Sequence, residues 1–104
     1  METKVFDAIL KNRIESIQIV LGSKAKEYAH GDDRLLNFKV AARANGTTQA
    51  KALWGMATKH LVSVMDLVTG RLVSSPEMVD EKIGDLINYL ILLEAVLSAG
   101  EKNE

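Results

Sequence analysis

EKIGDLINYLILLEA, residues 81–95, has the composition of one strong helix, yet it sets two inward-spaced acids and an amide among aliphatic side chains. Glu81, Asp85 and Asn88 stand at i, i+4 and i+7, so a helical period stacks them in one row along the axis. Val79, Ile83, Leu86, Ile87, Leu90, Leu93 and Leu97 form a broad apolar side roughly opposite, which on its own would make the row a solvated back. Leu92 and Val96 continue the same row, however, and turn it apolar soon after Asn88. Gly84, beside the row, lets another backbone or a ligand come close. The row is therefore expected to line a cleft.

Working outward, the rest of the chain also favours helix. It has one Pro, two Phe, two Tyr and one Trp, with abundant Leu, Ala, Ile, Lys and Glu. Phe6, Leu10, Ile14, Ile17 and Leu21 keep a three-or-four spacing that Tyr28 continues, which predicts a long helix from about Thr3 to Ala29, bent near Gly22. HGDD breaks it, since Gly31 suits a helix end and Asp32 or Asp33 can cap the next start. A short helix from Asp33 to Ala44 ends at NG. Thr47 or Thr48 then caps a third helix to about Thr69, with Leu53, Ala57, Leu61, Val64 and Val68 on one side and Lys59, Ser63 and Asp66 on the other. Ser75, Pro76 and Glu77 make a strong entry to the fourth: Ser caps, Pro presets the first turn and the acid suits the positive end of the dipole. This helix is expected to reach Ser98 and the tail, residues 100–104, to fray. Trp54 and the methionines, at helical spacing, read as core.

The expected fold class is thus all-α, a four-helix bundle-like domain over residues 1–104. A chain of 104 residues is large enough for one core and too short for two ordinary domains. Its net charge of -1 gives no footprint for bulk nucleic acid. The absence of Cys excludes disulfides and thiolate metal sites. No transmembrane-length apolar run and no signal peptide is evident, so a cytoplasmic protein is expected. Ile91, Leu92 and Val96 add apolar surface outside the main stripe of the fourth helix, which one such domain cannot cover. A homo-oligomer, dimer or tetramer, is expected.

Two polar clusters qualify as chemistry. Acids that share a helix face repel each other unless a cation lies between them, and Mg²⁺ accepts such carboxylates while keeping waters for substrate phosphates. KAKEYAHGDDRLLNF, residues 24–38, is the other: it gathers Lys24, Lys26, Glu27, Tyr28, Asp33, Arg34, Asn37 and Phe38 around the first turn. Each alone suits a solvated helix junction; together they offer basic groups for phosphate, aromatic faces for a base and acids for a metal. Lys59 and His60 lie on the third helix, His60 at the edge of its apolar stripe, where a hydrogen-bonded boundary histidine competes with a ligand-binding role.

KEYAHGDDRLLNF, the later KH and the closing EKIGDLINYLILLEA resemble small phage and bacterial proteins related to the MazG-like, all-α nucleotide pyrophosphohydrolase superfamily. The resemblance spans Lys24 to Ala95. It implies an oligomeric helical bundle that binds nucleotides through Mg²⁺, or Mn²⁺ in its place, and in its active members cuts nucleoside triphosphates to a monophosphate and pyrophosphate. On this resemblance Glu27, Glu81 and Asp85 would hold the metal, and Glu27 or Asp33 would orient the attacking water. Lys24, Lys26, Arg34 and Lys59 would meet phosphate, while Tyr28, Phe38 or Tyr89 would stack on the base, with Asn37, His60 and Asn88 completing the nucleotide contacts. Asn88 and Tyr89 match the NY that follows the acids in the phage-type relatives; for a phage-encoded protein the compartment would be the bacterial host's cytoplasm. The chain departs from the pattern in lacking a second Glu three residues from Glu27, and in placing Lys82 where the enzymes carry an extra acid. Three functions follow: a Mg²⁺-dependent pyrophosphohydrolase, a protein that binds and sequesters a nucleotide or nucleotide-derived signal, and a structural helical oligomer in which the acids form ion pairs.

Overall fold

The computed structural model describes residues 1–24, with the side chain of Lys24 excepted, and 33–100. Helices are the only regular elements among them: α1 (Thr3–Ile17), α2 (Leu36–Asn45), α3 (Gln49–Thr69) and α4 (Pro76–Ser98), so the fold class is all-α. None of these helices is long and apolar enough to cross a membrane.

The boundaries follow local chemistry. Ser75 Oγ accepts the N–H of Met78 at 3.1 Å, and Pro76 and Glu77 occupy the first turn of α4. Thr48 caps α3 in the same way, accepting from the N–H of Lys51 at 3.2 Å. Gly46 and Gly70 end α2 and α3 at φ of 61° and 82°, a conformation that side-chain-bearing residues adopt at a cost. The N–H of Thr47 reaches back to the carbonyl of Ala42 at 2.9 Å, the six-to-one bond of a Schellman stop.

Two boundaries move from the sequence expectation. The α-helix of the N-terminal segment stops at Ile17, and the chain continues as a π-helix over Gln18–Lys24. Ile17, Ile19 and Val20 are branched at Cβ and crowd a tight α-turn, while Gly22 lets the backbone widen. The expected extension over residues 25–29 lies outside the described residues. In the second segment α2 begins at Leu36, three residues later than expected, because Asp33 serves the turn that precedes it: its Oδ1 accepts the N–H of Leu35 at 3.0 Å.

The core is small. Phe38 of α2, Leu53 and Ala57 of α3 and Val96 of α4 are buried together, with Leu35, Ala50, Met56, Tyr89, Leu92 and Leu93 packed around them. α3 lies along α4, α2 along α3, and α1, among the other described helices, packs chiefly on α4. No residue of α1 is buried, so a three-helix core carries an attached arm rather than four equivalent helices.

Packing also corrects the assignment of faces. α4 turns Tyr89, Leu92, Leu93 and Val96 toward the core, and leaves Val79, Leu90 and Leu97 of the expected apolar side exposed. This helix is apolar around most of its circumference, so periodicity alone does not decide which side another helix covers. Trp54, expected in the core, is 46% exposed: it follows Leu53 by one residue, and that single step turns it away from the buried side. Met65 and Val68 are likewise exposed toward the far end of α3.

Leu53 is fully buried, so its truncation leaves a cavity at the α2–α3–α4 junction. Leu53→Ala is expected to lower unfolding free energy by about 2–5 kcal/mol, and Val68→Ala, at an exposed position, by less than about 0.5 kcal/mol. Urea denaturation of the two variants checks this ordering.

Candidate functional site

The Glu81–Asp85–Asn88 row lines a cleft between α4 and the N-terminal segment. Its cavity of about 220 Å³ is bounded by Asp80, Glu81, Gly84, Asp85 and Asn88 on one side and by Arg13, Ser16, Ile19 and Val20 on the other. The far wall includes both α1 and its π-helical continuation, which is how Ile19 and Val20 come to face the acids.

Arg13 is the residue the sequence reading missed. Its Nη2 donates to the carboxylate of Asp80 at 2.8 Å and to the backbone carbonyl of the same residue at 3.1 Å. The guanidinium lies close against Gly84: a Cβ built there would stand 2.6 Å from Nη1. Gly84 is therefore the seat of an arginine that α1 supplies to Asp80. The signal was present in the sequence, since Arg13 interrupts an apolar stripe, three residues after Leu10 and four before Ile17.

Each acid of the row has its own surroundings. Asp85 Oδ2 lies 3.5 Å from His60 Nδ1, an ion pair whenever the imidazole is protonated. The His60 ring stacks on Tyr89, with centroids 4.8 Å apart and planes at 26°. Glu81 is more open, its Oε1 3.7 Å from the Nζ of Lys82 on the same helix. Asn88 carries a buried side-chain oxygen with no hydrogen-bond partner. An orphaned buried acceptor is uncommon in a folded protein and calls for a donor or a cation.

The structure thus brings Glu81, Asp85, Asn88, Tyr89 and His60 together and leaves the other candidates apart. Phe38 is a core residue, buried under α3, and offers no face to a base. Asn37 and Lys59 are exposed and do not line the cleft. Arg34 donates from Nη2 to the carbonyl of Leu21, which ties the approach to α2 onto the π-helical segment. Asp33 is engaged twice, by the N–H of Leu35 and by the Lys39 ammonium at 2.8 Å. Lys26, Glu27, Tyr28 and the side chain of Lys24 lie outside the described residues.

As a metal centre the described residues are sparse: no three His, Cys, Asp or Glu side chains among them converge to hold an ion. Glu81, Asp85 and the Asn88 amide are nonetheless hard oxygen donors on one helix row. Mg²⁺ needs only one or two carboxylates when water and phosphate oxygens fill the remaining positions. Comparison of the chain with protein-family models, with curated proteins and with solved structures finds no match in any of the three.

Two measurements test this geometry. The hydrogen bond from Lys39, and after it the one from the Leu35 N–H, holds the Asp33 carboxyl below its ordinary value of 3.8. A carboxyl with a depressed folded pKa contributes stability above its unfolded value and loses it as pH falls through the folded one, so the Asp33 contribution is expected to be lost as the pH drops below 3.8. Carbon-detected NMR titration should place this carboxyl below 3.8 in the parent and closer to 3.8 in Lys39→Met. The second concerns Gly84. Ala in a helix interior is about 1 kcal/mol better than Gly, but here the new methyl displaces the Arg13 guanidinium. Gly84→Ala should therefore stabilise the Arg13→Ala background by about that amount and the parent by clearly less. Equal gains in both backgrounds would show that Arg13 does not rest on Gly84.

Proposed function

We propose that the chain is a nucleotide-binding helical protein that takes its ligand, with Mg²⁺ or Mn²⁺, at the cleft between α1 and α4. The supporting observation is the row itself: Glu81, Asp85 and Asn88 all line that cleft, and the Asn88 oxygen is buried without a partner. Oxygen donors at one helical spacing suit a hard divalent cation, and such a cation brings phosphate oxygens with it. Arg13, which lines the same cleft, brings a positive charge within reach of a phosphate group there.

Within this reading hydrolysis asks for more than binding. Cleavage of a triphosphate needs the metal to neutralise developing charge and a base to position water. Asp33 is committed to the turn before α2; Glu27, to which the family resemblance also gives the water-orienting role, lies outside the described residues. The geometry of the described cleft supports binding directly and leaves pyrophosphate release to assay.

A structural reading has its own observation. Asp80 is paired with Arg13 and Asp85 with His60, which is how acids look when their work is to hold helices together. Thermal melts of the parent, Glu81→Gln and Asp85→Asn, each with and without Mg²⁺ and a panel of nucleoside triphosphates, separate the readings. Ligand at tenfold excess over its dissociation constant stabilises by about 1.4 kcal/mol, a rise of at least roughly 5 °C for a domain of this size. The proposal expects that rise in the parent, its loss in both variants, and similar melting without ligand. No rise with any triphosphate, together with a lower melting temperature for unliganded Asp85→Asn, would leave the ion-pair role alone. Release of pyrophosphate over hours distinguishes an enzyme from a sequestering protein.

A further inference from the structure

From the outer face of α3 we infer a docking surface for a partner protein: an acidic amphipathic helix of an unlike chain lies along Trp54 and Gly55, within reach of Lys51 and Lys59. None of these residues lines the cleft, so the inference is independent of what the cleft binds.

Trp54, Thr58, Val62 and Met65 succeed one another at three-or-four spacing, on the side of α3 turned away from the buried Leu53 and Ala57. Trp54 is 46% exposed, Val62 48% and Met65 54%. Thr58 adds little polarity to the row, because its hydroxyl donates to the carbonyl of Trp54 at 2.8 Å. Single apolar side chains on a surface are ordinary. A tryptophan heading a row of them over about three turns is a patch, and Trp is prominent among the residues that anchor protein interfaces.

Gly55 has no internal reason to be glycine. Gly46 and Gly70 serve their positive φ, and Gly84 seats an arginine. Gly55 lies within α3, is not among the positive-φ glycines, and a Cβ built there meets nothing within 4 Å among the described residues. Glycine in a helix interior weakens the helix relative to alanine, and no described part of the chain fills the space it leaves. The result is a low point beside Trp54, where the backbone of another helix can come close.

Charge chooses the partner. Residues 34–65 hold Arg34, Lys39, Arg43, Lys51 and Lys59 and no Asp or Glu. Lys51 lies one turn before Trp54 and Lys59 one turn after Gly55; both are exposed, and neither ammonium is in an ion pair among the described residues. The next acid along the helix, Asp66, faces Arg71 at 4.0 Å. A surface apolar along its middle and positive a turn to either side is complementary to a helix with its own apolar stripe and acids beside it. Two ammonium groups are few for a nucleic-acid strand, which is held by a series of phosphate contacts, and Val62 and Met65 give a base no face to stack on.

Trp54 is the single tryptophan of the chain, so its fluorescence reports on this face in the intact protein. The probes are two synthetic helical peptides of about four turns, free of aromatic residues and sharing one leucine stripe, with glutamates beside it in the first and lysines in the second. The glutamate peptide is expected to shift Trp54 emission saturably to the blue, with a dissociation constant at least about tenfold below that of the lysine peptide. Lys51→Glu combined with Lys59→Glu should exchange the two preferences. Gly55→Gln should raise the melting temperature of the free chain, since Gln is the better helix former, and weaken the glutamate peptide about tenfold; a glycine that served only its own helix would not move the two in opposite directions. Emission that ignores the glutamate peptide, an equal response to both peptides, or undiminished binding by Gly55→Gln overturns the inference. So does a shift produced instead by protein concentration alone, which gives the face to a second copy, or by a single-stranded oligonucleotide, which gives it to nucleic acid. The two-peptide comparison on the parent decides by itself where a variant unfolds.

Discussion

Leu53 and Ala57 of α3 pressed against Val96 of α4 form the contact from which the other elements take their places. Both α3 residues are essentially without exposure, and Val96 nearly so. α2 joins by inserting Phe38 into the same cluster, closed off by Leu35 and Met56. With so few side chains fully removed from water, the hydrophobic contribution is concentrated at one junction, and a single truncation there removes a large share of it. α1 has no part in that cluster. Its place on α4 rests on an arginine over a glycine, an arrangement that gives direction more than strength, since one carboxylate of the pair is largely solvated.

That crossing meets one of the acids gathered in the first half of α4. Asp80, Glu81 and Asp85 lie within two turns of one another, and Glu81 and Asp85, at i and i+4, share a face and repel. Two of the three meet partners from outside the helix: Arg13 arrives from α1 at Asp80, and His60 of α3 lies beside Asp85. Glu81, between them, keeps only a long contact to Lys82. Of the carboxylates in the cleft, Glu81 is thus the one left without a partner from another helix among the described residues.

How much of this was legible in the sequence depended on how local each cause was. Caps and stops are decided within four residues, and Thr48, Ser75 with Pro76, Gly46 and Gly70 all act where their types and positions indicate. The turn of the acid row from polar to apolar at Leu92 and Val96 was equally visible, but these residues, expected to lie outside what one domain covers, belong to the chain's own core. The inward side of α4 as a whole was not, because a helix apolar on most sides leaves the choice to whichever helix packs on it, and that is a long-range matter. Phe38 illustrates the same limit. An aromatic beside a polar loop can serve a ligand or a core, and its neighbours in sequence are the same in both cases; Leu53 and Val96, far along the chain, settle it as core. Arg13 showed as an anomaly in a stripe, but its partner Asp80 is 67 residues away, beyond the reach of spacing arguments.

The order of the cleft consequently depends on the least self-sufficient element of the fold. Segments with few buried apolar contacts open at low free-energy cost, and α1 has no buried residue at all. Yet α1 and its π-helical continuation supply Arg13, Ser16, Ile19 and Val20 to the cleft, and Arg34 fastens the approach to α2 onto the carbonyl of Leu21 in the same continuation. A cleft whose one wall is anchored in the core, through Tyr89 and Leu92, and whose other wall is an exposed arm will be as ordered as the arm. Anything that fixes this arm on α4 therefore orders the cleft, without any need for a second conformation of the core.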